Sequence, residues 1–235
     1  MTLATLRSEV QANIADTTSA TQTRIATWLN WTVLHMAQRY DWLDLVSLNT
    51  TSYDTAASTE TVALASTVKK IYNIRYVDTS GTVKSRVLKY RPAYFQNALR
   101  PYPAGDATNT PVYYWVVGRT LYLSPIPDSA KDLYITLHSW PTDMSSNSDT
   151  PSINNVDEAI VAGATYRAYR ALPQLDGADF IKEWRDEYYR LTLEANLLDK
   201  QLAGWRAYLR PHNAVGSRVH VSTNPSADPL IRQWN

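Results

Sequence analysis

The stretch from Pro111 to Trp140 constrains the fold more than any other part of the chain. Three runs within it, residues 112–117 (VYYWVV), 120–124 (TLYLS) and 132–140 (DLYITLHSW), are dominated by β-branched, aromatic and leucine side chains. Such side chains suit a pleated, half-buried surface. Gly118-Arg119 lies between the first two runs, where a tight hairpin needs a positive φ that glycine adopts without steric cost. Pro125-Ile126-Pro127-Asp128 ends the second run, because proline cannot donate to a β-ladder. The spacing predicts a compact antiparallel meander of these strands. Counting by twos puts Leu121, Leu123, Leu133, Ile135 and Leu137 on one face, and Tyr122, Tyr134, Thr136 and His138 on the other. The first face needs a cover; the second is free to be presented.

Helical periodicity brackets this β region. Leu3, Leu6, Val10 and Ile14 predict an amphipathic helix over residues 3–14. Asp16-Thr17-Thr18-Ser19 breaks it and offers caps for the next helix. Ile25, Trp28, Leu29, Thr32, Val33, Met36, Ala37 and Tyr40 then mark a stripe from residue 21 to 40. Trp28, Trp31 and Trp42 are read as core anchors rather than a platform for stacking sugars or bases, because Trp28 shares the stripe with Met36. Helical signal returns at Val156 with Ala159, Ile160, Gly163, Ala164, Arg167, Ala168 and Ala171, a smooth face on which another helix can sit closely. Leu172-Pro173 stops it. A long helix is expected from near Asp176 to Leu202, with Phe180, Trp184, Tyr188, Leu191, Ala195, Leu198 and Leu202 on one face; at ~1.5 Å per residue it spans ~40 Å.

Between the helical pairs lie further short Thr- and Val-rich runs at residues 43–53, 61–65, 70–77 and 82–89, with a hairpin loop at Asp78-Thr79-Ser80-Gly81. Arg91 to Leu99 is expected to form a short helix with Pro92 in its first turn, and residues 101–111 an irregular connection. The expected fold class is α+β. Residues 1–42 give the N-terminal helices of a bundle, 43–140 an inserted antiparallel β domain of six or seven strands (a small sandwich or barrel), 141–155 a polar linker, 156–203 the C-terminal helices of the bundle, and 204–235 an extended C-terminal arm.

That arm has four arginines against one aspartate and no long period, yet keeps Trp205, Tyr208, Leu209, Val219, Val221, Leu230, Ile231 and Trp234. Disordered tails are usually poor in such side chains. Spaced apolar anchors on a segment unable to fold alone suggest an arm that orders on a partner, in preference to a frayed terminus or an arm lying on its own domain. The anchors Trp205, Tyr208, Leu230, Ile231 and Trp234, with Arg206, Arg210, Arg218 and Arg232 meeting acidic or carbonyl-lined surface, are the candidate binding residues.

Chemical motifs are missing from the sequence. With no cysteine, thiolate metal sites and cysteine nucleophiles are excluded. The histidines His35, His138, His212 and His220 have no metal-ligand spacing, and no HExxH, GxSxG, Walker, GxGxxG or EF-hand pattern is present. The pairs Asp157-Glu158 and Asp186-Glu187 are adjacent on helices, so each pair cannot converge on one substrate, and they are read as solvated carboxylates near Lys182, Arg185 and Arg190. No catalytic residue, metal or cofactor is assigned. A net charge of +1 supplies no field to draw in nucleic acid. No apolar run reaches the ~20 residues of a membrane helix, and the N-terminus lacks the pattern of a signal peptide.

The order of parts resembles the head-to-tail adaptor (connector) proteins of tailed, especially short-tailed, bacteriophages. The resemblance is carried by Thr2-Leu3-Ala4-Thr5-Leu6-Arg7 with Val10, by Trp28-Leu29-Asn30 and Arg39-Tyr40-Asp41-Trp42, by Thr110-Pro111-Val112-Tyr113-Tyr114 with Gly118, Leu121-Tyr122-Leu123 and Pro125-Ile126-Pro127-Asp128, and by the Ala-rich helix from Asp157 with Trp184 and Tyr188. It implies a helical bundle with an inserted β domain and a C-terminal extension that docks on the portal. It also implies a structural role without enzymatic activity: a ring of about twelve subunits, a dodecamer, below the portal protein. Such a ring sits at the head-tail junction of the virion, meets tail nozzle or tail-tube proteins, and continues the DNA channel without binding DNA specifically. Assembly is expected in the host cytoplasm. Two other readings come from the residues. One is a carbohydrate-binding or tail-associated module using the aromatic face, since the chain has 16 Tyr and 8 Trp. The other is a polysaccharide-cleaving enzyme, whose carboxylates would carry no simple signature.

Overall fold

The computed structural model describes residues 1–16, 18–77, 85–94, 108–172 and 178–202. Among these, two helices open the chain, α1 (Leu3–Ile14) and α2 (Ser19–Arg39), and two close it, α3 (Asp157–Ala171) and α4 (Ala178–Leu202). Leu3, Leu6, Val10 and Ile14 are all buried, as their spacing predicts. Thr18 caps α2 by accepting the Thr21 N–H, and Asp16 accepts from both the Thr18 N–H and the Thr21 hydroxyl. Trp28 and Trp42 are buried anchors, whereas Trp31 is exposed. Helix α3 sits at the centre of the bundle, against α1, α2 and α4.

Among the described residues, eight strands lie between: β1 (Val46–Asn49), β2 (Thr61–Ala63), β3 (Val68–Val77), β4 (Arg86–Val87), β5 (Lys89–Tyr90), β6 (Tyr113–Val117), β7 (Thr120–Ser124) and β8 (Asp132–Ser139). They form two four-stranded sheets, ordered β1-β8-β3-β4 and β2-β7-β6-β5. All pairs are antiparallel except β5 with β6, which is parallel. One core joins the sheets, with Ile74, Tyr76, Leu133, Ile135 and Leu137 from the first and Tyr114, Leu121 and Leu123 from the second. The domain is therefore a sandwich.

The expected continuous meander is corrected. β6 and β7 pair across the Gly118-Arg119 turn, with Gly118 at φ +60°. Strand β8, however, leaves that sheet and pairs with β1 and β3 in the other. The connection through Pro125 and Pro127 carries the chain across the sandwich. The predicted apolar residues are all buried, but they meet face to face rather than side by side. The aromatic face is divided as well: Tyr122 stacks on Trp115 in one sheet (5.3 Å, 11° between planes), while Tyr134, Thr136 and His138 belong to the other. His138 is not presented at all, being fully buried.

Residues 43–45 begin with a 3-10 turn rather than a strand. The polar segment 141–155 is packed wall, not a free linker. Met144 and Ile153 join the helical core, Asn30 exchanges two 3.0 Å hydrogen bonds with the Met144 backbone, and the Leu3 N–H donates to the Asp149 carbonyl at 2.7 Å. Hydrogen bonds from the hydroxyl and backbone of Ser146 and from Ser145 hold the Asp149 carboxyl down at about 2. The expected hairpin loop 78–81, residues 95–99 of the expected short helix and residues 101–107 of the irregular connection lie outside the described residues.

Candidate functional site

Any surface that joins this protein to others depends first on how rigidly the β domain is held to the bundle. The junction is built from the end of α2 and the outer face of β3 and β8. Lys69 Nζ donates to the carbonyls of Ala37 (2.6 Å) and Tyr40 (3.2 Å) and to the Asp41 carboxylate (3.0 Å). It satisfies acceptors that the last turn of α2 cannot satisfy itself. Lys70 adds a 2.8 Å bond to Asp41. Burial pushes the Asp41 carboxyl up, but the bonds and charges of Lys70 and Lys69 outweigh this and hold it at about 2. Trp42 Nε1 donates to the Met36 carbonyl at 3.1 Å.

His138 lies in this junction, 6.4 Å from the Tyr72 ring. Lys70 pairs with His138 in the ladder, and alternation along β3 puts Tyr72 on the same face. A register shift between Ile71 and Asn73 then lets Ile74 as well as Ile71 meet the sandwich core. Neither ring nitrogen of His138 completes a hydrogen bond, although the Trp42 backbone weakly favours the protonated ring. Burial first, then the Lys69 charge, depress its pKa to about 4, against the opposing pull of Asp41. His138 is thus a neutral packing group at pH 7.

Among the described residues, the bundle exposes apolar side chains on both flanks of α4. Helix α4 buries Tyr188, Thr192 and Asn196 toward its neighbours. Gly163 of α3 permits this approach, since a Cβ there would stand 2.5 Å from Thr32 Cγ2 and 2.8 Å from Tyr188 Cδ2. His35 Nδ1 and the Tyr188 hydroxyl share a 2.7 Å hydrogen bond across the α2–α4 seam. Burial, then the Arg167 and Arg39 charges, lower the His35 pKa. Beside this seam, Tyr189 (40% exposed), Leu193 (49%) and Leu197 (49%) recur every four residues as an apolar ridge. The Arg39 guanidinium stands 4.9 Å over the Tyr189 ring, and Trp31 is 51% exposed one turn before His35.

On the other flank of α4, Leu191, Ala195 and Leu198 face Val156 and Ala159 across a groove of about 390 Å³. Asp157, Glu158 and Glu194 also line it, with Met1. The Met1 ammonium binds Asp157 at 2.6 Å, and Arg190 bridges Glu187 (2.6 Å) and Glu194 (2.8 Å). Of the carboxylates read from the sequence as solvated, Asp157, Asp186 and Glu187 form surface ion pairs, Asp186 with Arg185 at 3.0 Å, and Glu158 is exposed. Among the described residues, no group of three or more His, Asp or Glu side chains is arranged to hold a metal. No described helix is long and apolar enough to cross a membrane.

The predicted arm residues Trp205, Arg206, Tyr208, Arg210, Arg218, Leu230, Ile231, Arg232 and Trp234 lie outside the described residues. The ridge was missed from sequence, and two expected members of the buried stripe, Phe180 and Leu198, are exposed instead. The available signal was an excess of apolar residues: Leu193 and Leu197 fall off the predicted stripe, so one packed face could not cover them all.

No curated protein matches the chain. The sequence model of the SU10 adaptor protein family matches residues 1–214, most of its length. The chain therefore belongs to the SU10 adaptor protein family, a family of structural phage adaptors that is not an enzyme class.

Proposed function

We propose that the chain is the repeating subunit of a closed ring seated below the portal, joining the head vertex to the tail and extending the DNA channel. The observation that carries this reading is the uncovered ridge Tyr189, Leu193 and Leu197 on a folded bundle whose family is an adaptor. A contiguous apolar surface on a soluble domain marks an interaction site. Repetition of one such contact closes a ring of about twelve copies when the rotation closes. The arm, residues 204–235, attaches each subunit to the portal through its aromatic, aliphatic and arginine anchors, and simultaneous engagement by all subunits adds avidity. Tail nozzle or tail-tube proteins meet the opposite side. The near-neutral chain lets DNA slide, since each neutralised phosphate would add affinity. Assembly takes place in the host cytoplasm, on the portal as template.

Mass photometry of the pure protein, with and without portal, tests this. The expected result is monomer or weak association alone and a ring on the portal. Deleting residues 204–235 should preserve the circular dichroism and melting of the folded part while portal binding is lost. Unchanged portal binding by the folded truncation would refute the role of the arm. A portal that recruits no ring of the full chain would refute the adaptor-ring reading.

A further inference from the structure

Helix α4 offers two unlike surfaces on roughly opposite flanks, as 3.6 residues per turn requires for these positions. One is the ridge Tyr189, Leu193 and Leu197. Lys182 and Lys200 stand in line with it, seven residues before Tyr189 and after Leu193, and both are exposed. Asp186 shares this line but is held by Arg185 at 3.0 Å. The other surface is the groove floored by Leu191, Ala195 and Leu198, with Asp157, Glu158 and Glu194 among its lining residues. The Met1 ammonium holds Asp157 at 2.6 Å, and Arg190 is shared between Glu187 and Glu194. The net negative charge of the rim therefore rests on the exposed Glu158 and on the Glu187–Glu194 pair sharing one arginine. An apolar ridge with flanking cations thus matches an apolar groove with an acidic rim.

We propose that in the ring the α4 ridge of one subunit enters the groove between α3 and α4 of the next copy of this chain. This inference rests on the ring reading and names its interface. A closed ring needs two different surfaces that fit each other on separate sides of the subunit, and this helix supplies both. Pairing of ridge with ridge would oppose Lys182 and Lys200 to their own copies, so charge favours the head-to-tail arrangement. Rim ion pairs set register and encounter rate, while the leucines supply the desolvated centre.

The chain contains no cysteine, so engineered thiols report single contacts. Leu197→Cys and Glu158→Cys are both at exposed positions. The full-length double variant is assembled on portal, oxidised, and run under non-reducing denaturing conditions, with ring mass measured separately on the unoxidised sample. The expected result is a ladder of covalent oligomers extending to the full ring. Mixing the two single variants should give mainly the dimer joining one of each. A control pairing Leu197→Cys with Leu48→Cys, an exposed site on β1, should give at least ten-fold less product. Adding Glu158→Lys to wild type should reduce ring yield, and Lys200→Glu in the same chain should restore part of it. A normal ring mass without the ladder, or cross-linking of Leu197→Cys chiefly to itself, overturns the interface while the ring reading stands. Absence of any ring on portal overturns both.

Discussion

Gly163→Ala tests the packing that holds α4 in place. The new Cβ would stand 2.5 Å from Thr32 Cγ2 on one side and 2.8 and 3.0 Å from Tyr188 ring carbons on the other. Neither neighbour can swing away freely. The Thr32 hydroxyl donates to the Trp28 carbonyl at 2.8 Å, and the Tyr188 hydroxyl is tied to His35. Overpacking a tight interior costs ~1–3 kcal/mol, and contact on two sides favours the upper half of that range. Replacing glycine by alanine within a helix returns ~1 kcal/mol. The net expectation is destabilisation of about 1–2 kcal/mol. Urea unfolding at pH 7 followed by circular dichroism gives the quantity directly, from the midpoint at constant slope. Thr32→Ser removes the clashing methyl but keeps the hydroxyl, so the double variant should recover part of the loss, giving a favourable coupling energy. An unchanged or raised midpoint in Gly163→Ala, or additivity with Thr32→Ser, would refute this account of the α2–α3–α4 crossing.

His138 should make stability fall in mild acid. Its pKa is depressed from 6.5 to about 4 in the folded chain, so as pH drops the unfolded chain takes the proton first, and stability is lost between those values. The full effect is on the order of 3 kcal/mol; urea melts between pH 7 and 4 should show a slope that His138→Gln flattens, and equal slopes in both proteins would contradict it. Lys69→Met should cost about 2 kcal/mol, because it strips the end of α2 and Asp41 of a largely buried partner, whereas Lys70→Met, which removes only a more exposed bond, should cost less than ~1 kcal/mol in the same assay. Equal losses would deny Lys69 its capping role. Leu193→Asp with Leu197→Asp should leave the melting temperature within a few degrees of wild type yet lower ring yield on the portal; a large drop in melting temperature would place the ridge in the fold instead.

Much of this architecture is set by local sequence. The bounds of α1 and the stripe of α2 follow from apolar residues returning every three or four positions, a property of one helix and its buried face. Gly118 fixes a hairpin because its backbone must take a positive φ. The family is legible too, through the order of helical pair, β region and Ala-rich helix. Strand partnership is different. Leu121, Leu123, Leu133, Ile135 and Leu137 alternate in the same way whether β8 lies beside β7 or faces it across a sandwich, and only the long-range pairing of β8 with β1 and β3 separates the two. The burial of His138 likewise follows from the docking of the α2 end and its Asp41-Trp42 corner on that sheet, which no spacing within β8 encodes. On α4 the sequence supplies more apolar residues than one face can bury. Which of them stay outside was decided by where α3 lies, because burial is a property of the neighbour as much as of the side chain.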